Sequence, residues 1–119
     1  MKPTIRLKRI HDDAESDDGR RVLVDRLWPR GIKKADAQLD EWCKAIAPSD
    51  DLRRWFHEDR DARWPEFRER YCAELEEADD ELDRLAGEAR NEGLTLLTAA
   101  RDRERNHTVV LKEILAERE

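Results

Sequence analysis

Residues 94–100 read LTLLTAA, and their apolar centre predicts a β-strand buried on both faces. Two-sided burial is the property of strands in helix-covered α/β sheets, so the neighbouring segments decide the rest. Upstream, TIRLKRI (4–10) alternates, with Ile5 and Leu7 on one face and Arg6 and Lys8 on the other, which reads as a strand with one wet face. RVLV (21–24) opens a second strand, predicted to run from Arg21 to Leu27. Between these two lies HDDAESDDG (11–19), acidic and without apolar period, hence a loop. Its length is near the lower limit of a parallel crossover, so a hairpin and a crossover both satisfy it.

Helical spacing dominates the middle of the chain. Leu39, Trp42, Cys43 and Ile46 fall at i, i+3, i+4 and i+7, predicting a helix that Pro48 stops. Ser49 is placed to cap a short helical turn carrying Leu52, Trp55 and Phe56. The longest stripe is Trp64, Phe67, Tyr71, Cys72 and Leu75, with Pro65 expected in the first turn. A further stripe, Leu82, Leu85, Ala86 and Ala89, ends near Gly93. After the strand at 94–100, Val110, Leu111, Ile114 and Leu115 mark a closing helix. Strand, strand, helices, strand, helix is the order of an α/β fold: one small domain over residues 1–119, with about three largely parallel strands flanked by helices.

Composition bounds the function. Charged residues make up 45% of the 119 and apolar ones 38%, yet four tryptophans and regular apolar periods argue for a folded chain. Of the 24 basic residues 18 are arginine, the side chain suited to bidentate anion recognition. The net charge of -6 weighs against nucleic-acid binding by the whole surface while permitting a local basic cleft. Cys43 and Cys72 both sit on predicted apolar faces, outside any CxxC spacing, and are expected to be buried free thiols of a cytoplasmic protein. No apolar run is long enough for a membrane span, and MKPTIRLKRI lacks the apolar core of a signal peptide.

In open α/β sheets, ligands bind beyond the carboxyl ends of the strands. The second strand leads into VDRLWPRG (24–31), where a tryptophan is bracketed by arginines beside a Pro and a Gly. The third leads into Arg101, Asp102, Arg103, Arg105, Asn106 and His107, at the opening of a helix whose free N–H groups favour an anion. Parallel strands bring both loops to one cleft. Arg26, Arg30 and Arg101 are then the expected clamp, with Trp28, Arg54, Asp102 and Asn106 as further ligand-binding residues and His107 as general acid or base. The dull alternatives are an Arg26 pair with Asp25 or Asp102, a core role for Trp28 and a helix cap for Asn106. His11, His57 and His107 lack ligand spacing, so no metal is expected, and the absence of GxGxxG, GxxxxGK[ST] and GxSxG patterns leaves no cofactor or serine-hydrolase template. No cysteine follows the third strand.

VLVDRLWPRG, WCKAIAPSDDLRRWFHED, RWPEFRERYCAEL and LTLLTAARDRERNHTVVLKEIL together resemble the domain of unknown function 488 family, in its short YeaO-like branch. The resemblance covers roughly residues 3 to 116 and implies a compact α/β domain with parallel strands. It implies family positions at Arg26, Trp28, Pro29, Arg30 and Gly31, at Trp55, Phe56, Trp64, Phe67 and Tyr71, and at Asp102, Asn106 and His107. Longer relatives look as though they carry a Cys-His pair where this chain has Asn106-His107. The expected function is binding of a small anion, a nucleotide or phosphorylated metabolite, in an arginine-rich cleft. The alternatives are a nucleic-acid module gripping a backbone with Arg30, Lys33, Lys34 and Arg54 while Trp28 or Trp55 stacks a base, and an interaction protein without a ligand.

Overall fold

The computed structural model describes residues 4–118, so the outermost positions of the expected 1–119 domain lie outside it. Four strands form one sheet: β1 (Ile5–Arg9), β2 (Arg20–Leu23), β3 (Glu41–Trp42) and β4 (Leu94–Thr98). Their order is β1-β4-β2-β3 and every pairing is parallel, which rules out the hairpin between the first two strands. β4 lies second in the sheet and every one of its residues is buried, as the LTLLT pattern requires. Helices α1 (Lys34–Ala37), α2 (Asp50–Glu58), α3 (Arg60–Leu75), α4 (Asp79–Asn91) and α5 (His107–Glu117) complete the α/β domain.

The two faces of the sheet are covered differently. Ile5, Val22, Val24, Leu94 and Leu96 point into the main core with Phe56, Phe67, Tyr71, Leu85 and Leu111 from the longer helices. Leu23 and Leu97 point the other way, into a smaller core with Ile10 and Ala37, edged by Trp28, Leu39 and Trp42. The 11–19 loop crosses this second face. Its Asp18 is buried, taking Arg21 at 2.6 Å and Lys8 at 2.8 Å, while its carbonyl accepts the Thr95 hydroxyl at 2.7 Å. Arg21 also donates to the carbonyls of Ala37 and Gln38, so one buried guanidinium ties the loop to α1. The predicted wet face of β1 is therefore covered at Lys8.

Four expectations change, the first being that the second strand ends at Leu23 and not at Leu27, which leaves 24–27 as loop. The helix predicted through Leu39, Trp42, Cys43 and Ile46 is instead β3 followed by a short turn of 3-10 helix, Lys44–Ile46. Its apolar residues divide between two cores, Trp42 to the small one and Cys43 to the large, and that alternation is a strand's. The Asp40 and Cys43 amides then bond the β2 carbonyls of Arg21 and Leu23 at 2.9 and 2.8 Å, pairing an otherwise open edge. Cys72 is exposed, not buried, because Tyr71 turns into the core and the next helical position lies about 100° away. Finally, α3 starts at Arg60, which puts Pro65 inside the helix and not in its first turn. The Ser49 cap forms as read, its Oγ accepting the Leu52 amide at 3.2 Å, and Asp59, which the sequence reading did not single out as a cap, accepts the Ala62 amide at 3.3 Å at the start of α3.

Candidate functional site

The parallel sheet brings the β2 and β4 exits to one edge, and there they enclose a cavity of about 290 Å³. Its third wall comes from the end of α2 and the start of α3. The β2 exit contributes Asp25, Arg26, Leu27, Trp28 and Pro29; the helices contribute Arg53, Phe56, His57, Arg60 and Phe67; the β4 exit contributes Asp102, Arg105, Asn106 and His107.

Of the sequence-derived site residues, Arg26, Trp28, Asp102, Asn106 and His107 meet in this cavity. Arg30, Arg54 and Arg101 lie outside its lining and are exposed. Lining positions that the strand-end argument did not reach are Asp25 as a partner for His107, and Arg53 and Arg60 as cations; Arg105, named in the third strand's exit loop but not as a ligand residue, also lines the cavity. The signal for Arg60 was its place at a helix junction, visible only once α2 and α3 are seen to abut.

Asp25 organises the cavity floor. Its Oδ1 accepts the Thr98 hydroxyl at 2.6 Å and its Oδ2 the Ala99 amide at 2.8 Å, stitching the β2 exit to the β4 exit. His107 Nε2 lies 3.1 Å from Asp25 Oδ1 and 3.0 Å from the Val24 carbonyl. Two acceptors facing one nitrogen place the proton on Nε2. The edge of the His107 ring meets Tyr71, whose hydroxyl is spent on the Ile46 carbonyl. Asp25 and His107 side chains are 15% and 12% exposed. Burial opposes the charge on Asp25, but His107, Thr98 and the Ala99 amide outweigh it and hold the carboxyl below its usual range.

Asn106 is a helix cap. Its Oδ1 accepts the Thr108 amide at 2.8 Å and the Thr108 hydroxyl, and its Nδ2 donates to the Asp102 carbonyl at 2.7 Å. Asp102 in turn accepts the amides of Glu104 and Arg105 at 2.9 and 3.0 Å. Both ends of Asn106 are thus committed, while Asp102 keeps its second oxygen, Oδ2, without a hydrogen bond among the described residues. Asn106→Ala should therefore cost about 1–2 kcal/mol of stability in a urea titration, the loss of a cap.

The cations differ in their commitments. Arg26 donates to the Pro48 carbonyl at 3.2 Å and lies 4.0 Å from Asp50; Arg53 lies 3.8 Å from Asp50; Arg105 pairs with Asp61. Arg60 makes no hydrogen bond and no ion pair within 4.0 Å among the described residues, though its charge, after the Glu104 and Arg105 amides, helps hold the Asp102 carboxyl below its usual range. Its field is nevertheless felt: burial first, then Arg60 and Arg53, lower the pKa of His57. The tryptophans considered for base stacking are engaged elsewhere. Trp28 bonds the Ile32 carbonyl and stands edge-on to Trp42, while Trp55 lies between Arg63 and Arg70.

One group of metal-type ligands occurs among the described residues, Glu41, Cys43 and Glu81, away from this cavity. Arg84 already holds both oxygens of Glu41, at 2.8 and 2.6 Å, and also pairs with Glu81.

A family profile described as the inactive DUF488-N3 subclade matches residues 4–119, nearly the whole chain. The chain belongs to this family. It is 50% identical over 111 residues to the uncharacterized protein YeaO of Escherichia coli, covering 93% of this chain and 96% of the relative. It is 43% identical over 113 residues to the uncharacterized proteins Mb3100c of Mycobacterium bovis and Rv3073c of Mycobacterium tuberculosis, covering 93% of this chain and 92% of each. No solved structure matches significantly. The family thus agrees with the YeaO-like resemblance of the motifs. No described helix is long and apolar enough to cross a membrane.

Proposed function

We propose that this family member binds a small anionic ligand, a nucleotide or phosphorylated metabolite, in the cavity at the carboxyl ends of β2 and β4. The observation that carries this reading is Arg60, a cation on the cavity wall with no hydrogen bond or ion pair of its own among the described residues, with Arg53 and Arg26 beside the same space. Asp25 is satisfied internally by His107, Thr98 and Ala99, whereas Asp102 spends only Oδ1 on its own loop, so an incoming anion must outcompete its other oxygen for the field of Arg60. The start of α5 adds the positive end of a helix dipole. His107, its Nε2 held by Asp25 and Val24, fixes the β4 exit against the β2 exit and so shapes the site.

Binding without turnover fits the chemistry better than thiol catalysis. Neither cysteine lines the cavity, and Asn106, at the position where longer relatives resemble Cys-bearing chains, is a cap and no nucleophile. The word inactive in the family's description points the same way.

Sulfate tests the reading because it does not titrate near neutral pH. At about a hundred times its dissociation constant it should stabilise the native chain by roughly 2.7 kcal/mol. Arg60→Ala should abolish that protection with the fold intact, while Arg30→Ala, outside the lining, should retain it. The pH dependence has a definite sign. With the pKa of His57 below its ordinary 6.5, the unfolded chain takes up protons first as pH falls, and the folded state loses this contribution. A bound anion reverses the penalty by favouring the charged ring, so sulfate protection should grow from pH 8 to pH 6. Unchanged protection in Arg60→Ala would remove the assignment.

A further inference from the structure

We infer that the ligand is two-ended, a phosphate-class anion carried on a flat, largely apolar body such as an aryl ring or the face of a nucleobase. This deepens the anion-binding reading and rests on it. Arg53 and Arg60 stand on the α2–α3 wall, and Arg26 and Arg105 are tied toward it, by the Pro48 carbonyl before α2 and by Asp61 in α3. The β2 exit adds Leu27, Trp28 and Pro29 to the lining as apolar surface. Leu27 is 62% exposed, the large hydrophobic side chain left in water among the described residues. Its exposure is not that of a loose loop, since Pro29 is buried and Trp28 is pinned by a 2.7 Å bond to Ile32 and by Trp42.

The polar groups around that wall decide between body types. The Trp28 indole N–H, the Thr98 hydroxyl and both ends of Asn106 are all bonded within the protein. The hydroxyls of a sugar phosphate would be taken from water into this wall without partners, which is unfavourable. A flat apolar body makes no such demand and covers Leu27. A volume of about 290 Å³ suits one ring with one anionic group.

Calorimetry on the full chain with inorganic phosphate, ribose 5-phosphate and phenyl phosphate separates the possibilities, since the three share the anionic group. Phenyl phosphate is expected to bind about tenfold tighter than the other two. Leu27→Ser, at an exposed position, should keep the native circular dichroism, weaken phenyl phosphate about fivefold and leave inorganic phosphate unchanged. Ribose 5-phosphate binding as tightly as phenyl phosphate, or Leu27→Ser leaving phenyl phosphate unaffected, overturns the two-ended ligand while the anion site stands. A native dimer that Leu27→Ser converts to monomers in sedimentation also overturns it, because a second copy then covers Leu27. Failure of all three compounds to bind overturns the anion site itself.

Discussion

Gly19→Ala is expected to destabilise the fold by more than about 4 kcal/mol, a large part of the roughly 5–15 kcal/mol typical of a domain. Gly19 closes the crossover loop at φ +66°, where an L side chain is strained. A Cβ there would lie 2.3 Å from the Gly93 carbonyl oxygen and 2.7 Å from that of Glu92. Both obstacles are backbone, at the point where the Arg20 amide bonds the Gly93 carbonyl at 3.0 Å and aligns β2 with β4. Neither can move without shifting the β2–β4 register. Gly31→Ala is the control. Its φ of +79° is equally left-handed, but nothing lies within 4 Å of the added carbon. That substitution should cost only about 1–2 kcal/mol, the conformational penalty alone. Urea titrations of both variants test the pair; equal losses would show that strain, not the close approach to Gly93, governs position 19.

Asp25→Ala should lower stability by about 3 kcal/mol and uncouple the two walls of the cavity. The substitution strips acceptors from the Thr98 hydroxyl, the Ala99 amide and His107 Nε2, and buried donors without partners are costly. Asp25→Asn keeps the shape but turns an NH₂ toward one of those donors, so a loss of about 2 kcal/mol is expected. The pH profile separates charge from packing. Because the folded pKa of Asp25 is below its usual 3.8, its contribution is complete above that value and lost as pH falls through the folded pKa. Asp12 and Asp18 are lowered to about 2, Asp12 by Arg103 and Asp18, against its burial, by Lys8, Arg21 and the Glu15 amide, and they add to the same decline. Native stability should therefore fall between pH 4 and about pH 2, and less steeply in Asp25→Asn. Parallel profiles for the two proteins would show that the Asp25 charge contributes nothing.

What the chain determined locally is what depends on neighbours in sequence. LTLLT carried its two-sided burial in its own composition, and Ser49 was legible as the cap it is because capping involves only the next three residues. The apolar stripe of α4 and its stop near Gly93 needed no distant partner either. That the arginine-rich strand ends share one edge of the sheet followed from parallel topology, which sends every carboxyl end the same way.

Tertiary structure alone decided the remainder. The segment 39–46 had helical spacing, yet two cores on opposite faces and an open β2 edge made a strand of its centre. Tyr71 and Cys72 are adjacent in the same apolar run, and the packing of α3 chose which faced inward. Asp25 and His107 are 82 positions apart and become partners only because β4 lies beside β2. Arg30 carried the expected motif and lies outside the cavity lining, whereas Arg60, in no motif, lines it. A ligand site is a meeting of distant segments, and the distances that define it exist only after the sheet has closed them.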